Sequence, residues 1–214
     1  PRCGIILDIY LLLVRPSLIG DHWFPFSSNR INAFTIKQFL MKIVAPVTVI
    51  ATRQSMSPLF LPDMARFISS MEMDNIPEEA VARAKLVMMD CVGAIVGGMA
   101  EPDMQALVNA GQPDGRATIL GTGRTADPQT AAFLNGMAGT VLEMDEGSQF
   151  ARGHPGMHVF PALLATAQET GATGTEFLRA FIIGYDVAAR AGIGTKLRMS
   201  MHPHGTWGTL GAAA

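Results

Sequence analysis

Residues 173–192, TGTEFLRAFIIGYDVAARAG, constrain the fold more than any other stretch of the chain. Thr173 followed by Glu176 is a capping-box pattern, the signature of a helix start. The run behind it is apolar on nearly every face, and Gly192 and Gly194 end it. A helix without a polar face must be covered on all sides, so this one belongs in the middle of a larger helical body.

The other periodic stretches supply that body. Asn75, Pro77, Glu78 and Glu79 give a cap candidate, an early proline and an acidic first turn. Val81, Ala84, Met88, Cys91 and Ile95 then recur at three- and four-residue spacing, and Gly97-Gly98 predicts the end of that core helix. Asp90 within it reads as a satisfied structural carboxylate. Upstream, Pro58 and Pro62 are placed to start a helix carrying Met64, Phe67, Ile68 and Met71 on one side. A shorter helix is expected around Pro102 to Ala110, and Ala117 to Leu120 can form one short strand. Asp127 and Pro128 open a helix rich in small residues (Ala131, Ala132, Gly136, Ala138, Gly139), which should deliver Glu143 and Asp145 at its carboxyl end and stop at Gly147. Met157 to Glu169 is helical again, with Val159, Leu163, Leu164 and Ala167 on one stripe, and a Gly/Ala-rich helix closes the chain. The fold class is mainly α.

Composition narrows what such a body does. Apolar residues make up 49% of the chain and charged ones only 16%, against about 25% in an ordinary soluble domain, so apolar surface should be covered by a second subunit or by more polypeptide. The net charge of −2 offers no basic stripe for nucleic acid. No run reaches the roughly 18–20 apolar residues of a membrane span. Residues 1–55 read as an extension, with the compact fold over 56–214. Cys91 sits in a core pattern far from Cys3, which suits a reducing, cytoplasmic setting.

Chemistry concentrates in LEMDEGSQFARGHPGMHVFP, residues 142–161. This turn-rich segment holds Glu143, Asp145, Glu146, Arg152, His154 and His158 between two apolar runs. His202 and His204 form a second pair near the end of the chain. His154 and His202 each precede a proline and a helix, where the partial positive charge of the helix start lowers imidazole basicity and attracts anions. That placement suits a neutral imidazole facing a carboxylate substrate. Two other readings stand beside it: satisfied loop histidines, and a metal site drawing on His154, His158, His202, His204 and Asp145.

The run LNGMAGTVLEMDEGSQFARGHPGMHVFPALLATAQETGATGTEFLRAFIIGYDVAARAG, followed by MHPHGTWGTLGAAA, resembles the MmgE/PrpD family from about Leu59 to Ala214. That family includes 2-methylcitrate dehydratase, cis-aconitate decarboxylase and iminodisuccinate epimerase. The resemblance implies an all-helical domain with a separate lid domain beyond this chain, a homodimer, and catalysis without a metal or organic cofactor. Family members run about as long again, so the chain is expected to be an amino-terminal part, with little activity alone. The implied chemistry is proton handling at a carbon beside a carboxylate of a small di- or tricarboxylic acid. By resemblance, His154 and His202 are the acid/base pair, and Glu143 and Asp145 match the acidic cluster of the pocket. Arg152, His204 and Gly147 are candidate substrate contacts. Glu143 stands where an aspartate is common, Gly147 where a threonine is, and Thr140 where a histidine is. The loop is one residue longer than in the decarboxylase branch, so a dehydratase is favoured, with an epimerase as the alternative and decarboxylation last. A non-catalytic helical assembly protein is the reading from a different class.

Overall fold

Seven helices and one short hairpin form the part of the chain that this computed structural model describes, residues 60–111, 114–198, 201–202 and 205–214. The expected extension over residues 1–55 and the fold start at Met56 lie outside these residues. The order is α1 (Phe60–Ser70), a 3-10 turn (Met73–Asn75), α2 (Glu78–Met99), α3 (Pro102–Ala110), strands β1 (Ala117–Ile119) and β2 (Arg124–Ala126), α4 (Pro128–Val141), α5 (Pro155–Thr170), α6 (Gly174–Gly194) and α7 (Gly208–Ala213). No helix among the described residues is long and apolar enough to cross a membrane.

The all-round apolar helix is central, as its pattern requires. Phe177, Leu178, Phe181, Ile183, Tyr185, Val187 and Ala188 of α6 are all buried. Phe160 of α5 meets Phe177 and Phe181 edge-on, with ring centroids 6.0 and 6.2 Å apart. Helix α6 starts on the anticipated capping box: the Thr173 hydroxyl accepts from the Glu176 N–H at 3.2 Å, and the Thr173 N–H donates to Glu176 Oε2 at 2.7 Å. Helix α5 packs against α2, α4, α6, α7 and the hairpin, so its first residues enter the body where several elements converge.

Four boundaries differ from expectation. Asn75 ends the 3-10 turn, and Pro77 takes the N-cap place of α2 without a side-chain bond. Gly97 and Gly98 do not stop α2, which continues to Met99. Gly98 instead marks the crossing with α4, because a methyl there would run into the Ala138 carbonyl. The segment 117–126 holds two strands rather than one, paired antiparallel in the register Ala117 to Ala126 and Ile119 to Arg124, with left-handed Gly121 and Gly123 in the turn. A lone two-stranded hairpin is marginal in water. Here Asn135 of α4, fully buried, accepts from the Leu120 N–H and donates to the Thr118 carbonyl, both at 2.9 Å, while Gln168 of α5 binds Thr118 from the other side. Helix α4, finally, ends at Val141 with Leu142 as its C-cap, so Asp145 lies in the loop beyond it and Gly147 is not its stop.

Candidate active site

The loop from α4 to α5 reverses the chain through two left-handed residues, Glu143 (φ 51°) and Arg152 (φ 57°). Neither is glycine, so each conformation costs about 1–2 kcal/mol that neighbouring contacts must offset. The Glu143 N–H donates to the Thr140 carbonyl at 3.0 Å. Ser148 and Gly153 form an isolated antiparallel bridge, and the Arg152 N–H donates to the Ser148 carbonyl at 2.8 Å. The Arg152 guanidinium reaches the last turn of α6, donating to the carbonyls of Thr195 at 2.9 Å and Gly192 at 3.4 Å. These bonds fold residues 145–146 back over the beginning of α5.

There the loop makes its functional cluster. His154 is the N-cap residue of α5, but its side chain makes no capping bond. Its Nδ1 lies 2.7 Å from the Glu146 backbone carbonyl and 3.1 Å from Asp145 Oδ2. The Nδ1–H points to the carbonyl, and Asp145 Oδ2, buried and outside hydrogen-bond geometry, acts on the ring as a neighbouring charge. The helix start is capped by Glu146 instead: its buried carboxylate accepts from the Gly156 N–H through Oε1 and from the Tyr185 hydroxyl of α6 through Oε2 at 3.1 Å. Gly156 has to be glycine for this, since a Cβ there would press on Glu146 Oε1, Val87 and Cys91.

Electrostatics corrects the expectation of a neutral imidazole at this helix start. Asp145 first of all, then the Glu146 carbonyl and carboxylate, raise His154 to about 9 against the opposing effect of burial. His154 is therefore an imidazolium at neutral pH. Burial pushes the Glu146 carboxyl up to about 7, although the Gly156 N–H, Tyr185 and His154 hold it down. Asp90 of α2 also departs from its expected role as a satisfied carboxylate. Burial carries it to about 6, Asp145 adds to the rise, the Glu146 N–H opposes it, and its Oδ2 is buried without a hydrogen-bond partner. Three carboxyls and one imidazole thus share a poorly solvated volume, in which burial raises Asp90 and Glu146 toward neutrality. Such an arrangement can donate a proton and be refilled from behind.

The other expected residues are distributed more widely. Glu143 and Gly147 are exposed, and there is open space around Gly147 for a side chain. Arg152, expected against a substrate carboxylate, is directed at helix carbonyls. His202 is exposed and its carbonyl accepts from the Thr206 hydroxyl at 3.1 Å. It does not stand at a helix start, because α7 begins only at Gly208 with Trp207 as N-cap. His204 lies outside the described residues. His158 packs edge-on to Trp207, 5.2 Å between centroids. It lines an open hollow of about 380 Å³ between α4, α5 and α7, whose walls include Phe133, Met137, Thr140 and Met157. Among the described residues no group of three His, Cys, Asp or Glu side chains is arranged to hold a metal ion. Asp90 and Tyr185 are the cluster members that the sequence did not mark as functional, and Glu146 stood in the acidic loop without an assigned role. The only signal for Asp90 and Tyr185 was their helical spacing within core stretches.

A helical body with a histidine–carboxylate loop between two of its helices agrees with the family that the motifs suggest. The MmgE/PrpD N-terminal domain model matches residues 62–214, and the chain belongs to that family. Among curated proteins it is similar to a cis-aconitate decarboxylase-like protein, oryM, of Aspergillus oryzae, 26% identical over 140 residues, which are 61% of this chain and 29% of that protein. It is also similar to cis-aconitate decarboxylase of Aspergillus terreus, 27% identical over 138 residues, 61% of this chain and 28% of the relative. The matched region therefore spans under a third of the length of those relatives.

Proposed function

We propose that this chain carries the acid half of a cofactor-free lyase acting on a small di- or tricarboxylic acid. The observation that carries the reading is the seat of His154: Nδ1 on the Glu146 carbonyl at 2.7 Å and beside Asp145 at 3.1 Å. An imidazolium fixed through Nδ1 gives up its proton through Nε2. Loss of water from a hydroxy acid needs such a donor at the departing hydroxyl. A carbon beside a carboxylate is a weak acid, so a cation close by also stabilises the charge that develops when a base removes its proton. His202 is the proposed base. Asp145 keeps the imidazole charged from beside Nδ1, and Glu143 is the further acidic residue proposed for the site.

Dehydration of a 2-methylcitrate-like acid is the leading activity, on the strength of the longer loop. Decarboxylation is the second, because the relatives are named cis-aconitate decarboxylases. Both need a proton donor at the reacting carbon or its leaving group, and isomerisation by proton return is a third outcome of the same site. The row Phe133, Met137 and Val141, exposed along α4, supports pairing of two copies, which sedimentation would test. The deciding experiment incubates a full-length MmgE/PrpD homologue carrying these site residues with 2-methylcitrate and with cis-aconitate and follows the alkene and the released carbon dioxide separately. His154→Ala should lower turnover by about 10²-fold or more on the active substrate. A near wild-type rate would reject the assignment.

A further inference from the structure

We propose that Glu146 is a positioning residue that seats His154, resting on the reading of His154 as the proton donor. One residue makes both halves of the seat. Its carbonyl takes the Nδ1–H of His154 at 2.7 Å, which selects the tautomer and makes Nε2 the nitrogen that exchanges the proton. Its carboxylate, meanwhile, fixes where that carbonyl sits. Oε1 holds the Gly156 N–H, the second residue of α5, and Oε2 holds the Tyr185 hydroxyl at 3.1 Å, in the middle of the most buried helix. The side chain is thus clamped between two helices, and the ring it orients hangs from its main chain. A loop residue tied this way cannot drift without moving the imidazole, and a displacement of about 1 Å at a proton-transfer atom can cost about 10²-fold.

The groups facing Glu146 explain why a carboxylate stands there. The start of α5 presents an N–H and a partial positive charge, and His154 adds a full one. Asp145 opposes them with like charge, Asp90 accepts from the Glu146 N–H, and Tyr185 contributes a donor. A glutamine keeps an acceptor for Gly156 but not the charge; an alanine keeps neither.

The test is histidine-selective ¹H–¹⁵N NMR on the full chain, with turnover measured in parallel. Wild-type His154 should show the Nδ1–H tautomer once deprotonated. In Glu146→Ala that tautomer should be lost, the titration point should fall by at least one pH unit, and kcat should drop about 10-fold or more with KM changed less than about threefold. In Glu146→Gln the tautomer should persist, with a smaller fall in the titration point. A folded Glu146→Ala protein whose His154 keeps both tautomer and titration point overturns the proposal. If Glu146→Ala does not fold, Glu146→Gln decides, and a titration identical to wild type overturns it. These signals report on the seat whether or not His154 is the donor. A wild-type rate in His154→Ala would remove that reading while leaving the NMR result to judge Glu146.

Discussion

Replacing Asp145 by asparagine should change how stability depends on pH, and the size of the change follows from the cluster. His154 binds its proton with a pKa of about 9 in the fold, against about 6.5 in an unfolded chain. Its contribution is therefore complete below about pH 6.5 and is lost as pH rises through about 9. Between those limits the folded state holds one more proton than the unfolded one, and stability falls by about 1.4 kcal/mol per pH unit. Glu146 and Asp90 also have raised values and contribute with the same sign, but their transitions are centred at about 7 and about 6. Cys91 contributes only near and above the ordinary thiol range, about 8.5, because burial raises it. From about pH 7 to about 8.5 the imidazole therefore dominates, with the tail of the Glu146 transition adding at the lower end, and stability should decline across it by about 2–3 kcal/mol. Asp145 is the largest cause of the shift, so Asp145→Asn should remove most of the imidazole's share of that decline. Urea unfolding followed by far-ultraviolet circular dichroism at half-unit pH steps reads both slopes. A wild-type stability that is level or rises over this window refutes the account, and so does an equal slope in the two proteins.

Two further substitutions test the packing that positions the loop. Gly98→Ala puts a methyl into the Ala138 carbonyl where α2 crosses α4, and should cost about 2–3 kcal/mol in urea unfolding, since the obstacle is backbone that cannot swing aside. Asn135→Leu strands the Leu120 N–H and the Thr118 carbonyl in the core, so a loss of about 2–4 kcal/mol is expected, with faster hydrogen exchange at Leu120.

Local rules made the helices legible, because each carries its own start signal. Thr173–Glu176 and Asp127–Pro128 cap helices where the sequence pattern puts them, and the Asp127 carboxylate accepts from the Thr130 N–H at 3.0 Å. Helix ends were less legible. Gly97-Gly98 looks like a stop by propensity, yet its real constraint is the approach of α4, a contact between residues about forty positions apart. The second strand was missed because Arg124–Ala126 alternates too briefly to stand out, and it is held by pairing with β1, which Asn135 and Gln168 secure from distant helices. At the site, the sequence gathered His154, Asp145 and Glu146 into one loop correctly. It did not reveal that the Glu146 carbonyl and Asp145 would keep His154 charged, since the sign of that shift depends on a 3.1 Å approach rather than on spacing. Asp90 and Tyr185 were invisible as site residues for the same reason: in the chain they belong to core helices.

The strain in the loop and the charge on the imidazole have a common origin. Glu143 and Arg152 adopt left-handed backbone at each end of a segment that must turn Asp145 and Glu146 inward over α5. A relaxed loop would leave those carboxyls in water, with little effect on a histidine eight or nine residues away. Drawn inward, Glu146 meets the helix start and Tyr185, and the buried Asp145 carboxyl comes to lie 3.1 Å from the imidazole. The anchors that hold the turn, Arg152 on the α6 carbonyls and the Ser148–Gly153 bridge, therefore act on the proton affinity of His154 without touching it. Cutting the first anchor with Arg152→Gln should lower the His154 titration point as well as stability. A guanidinium whose only business was a substrate carboxylate would change KM and leave that titration where it was.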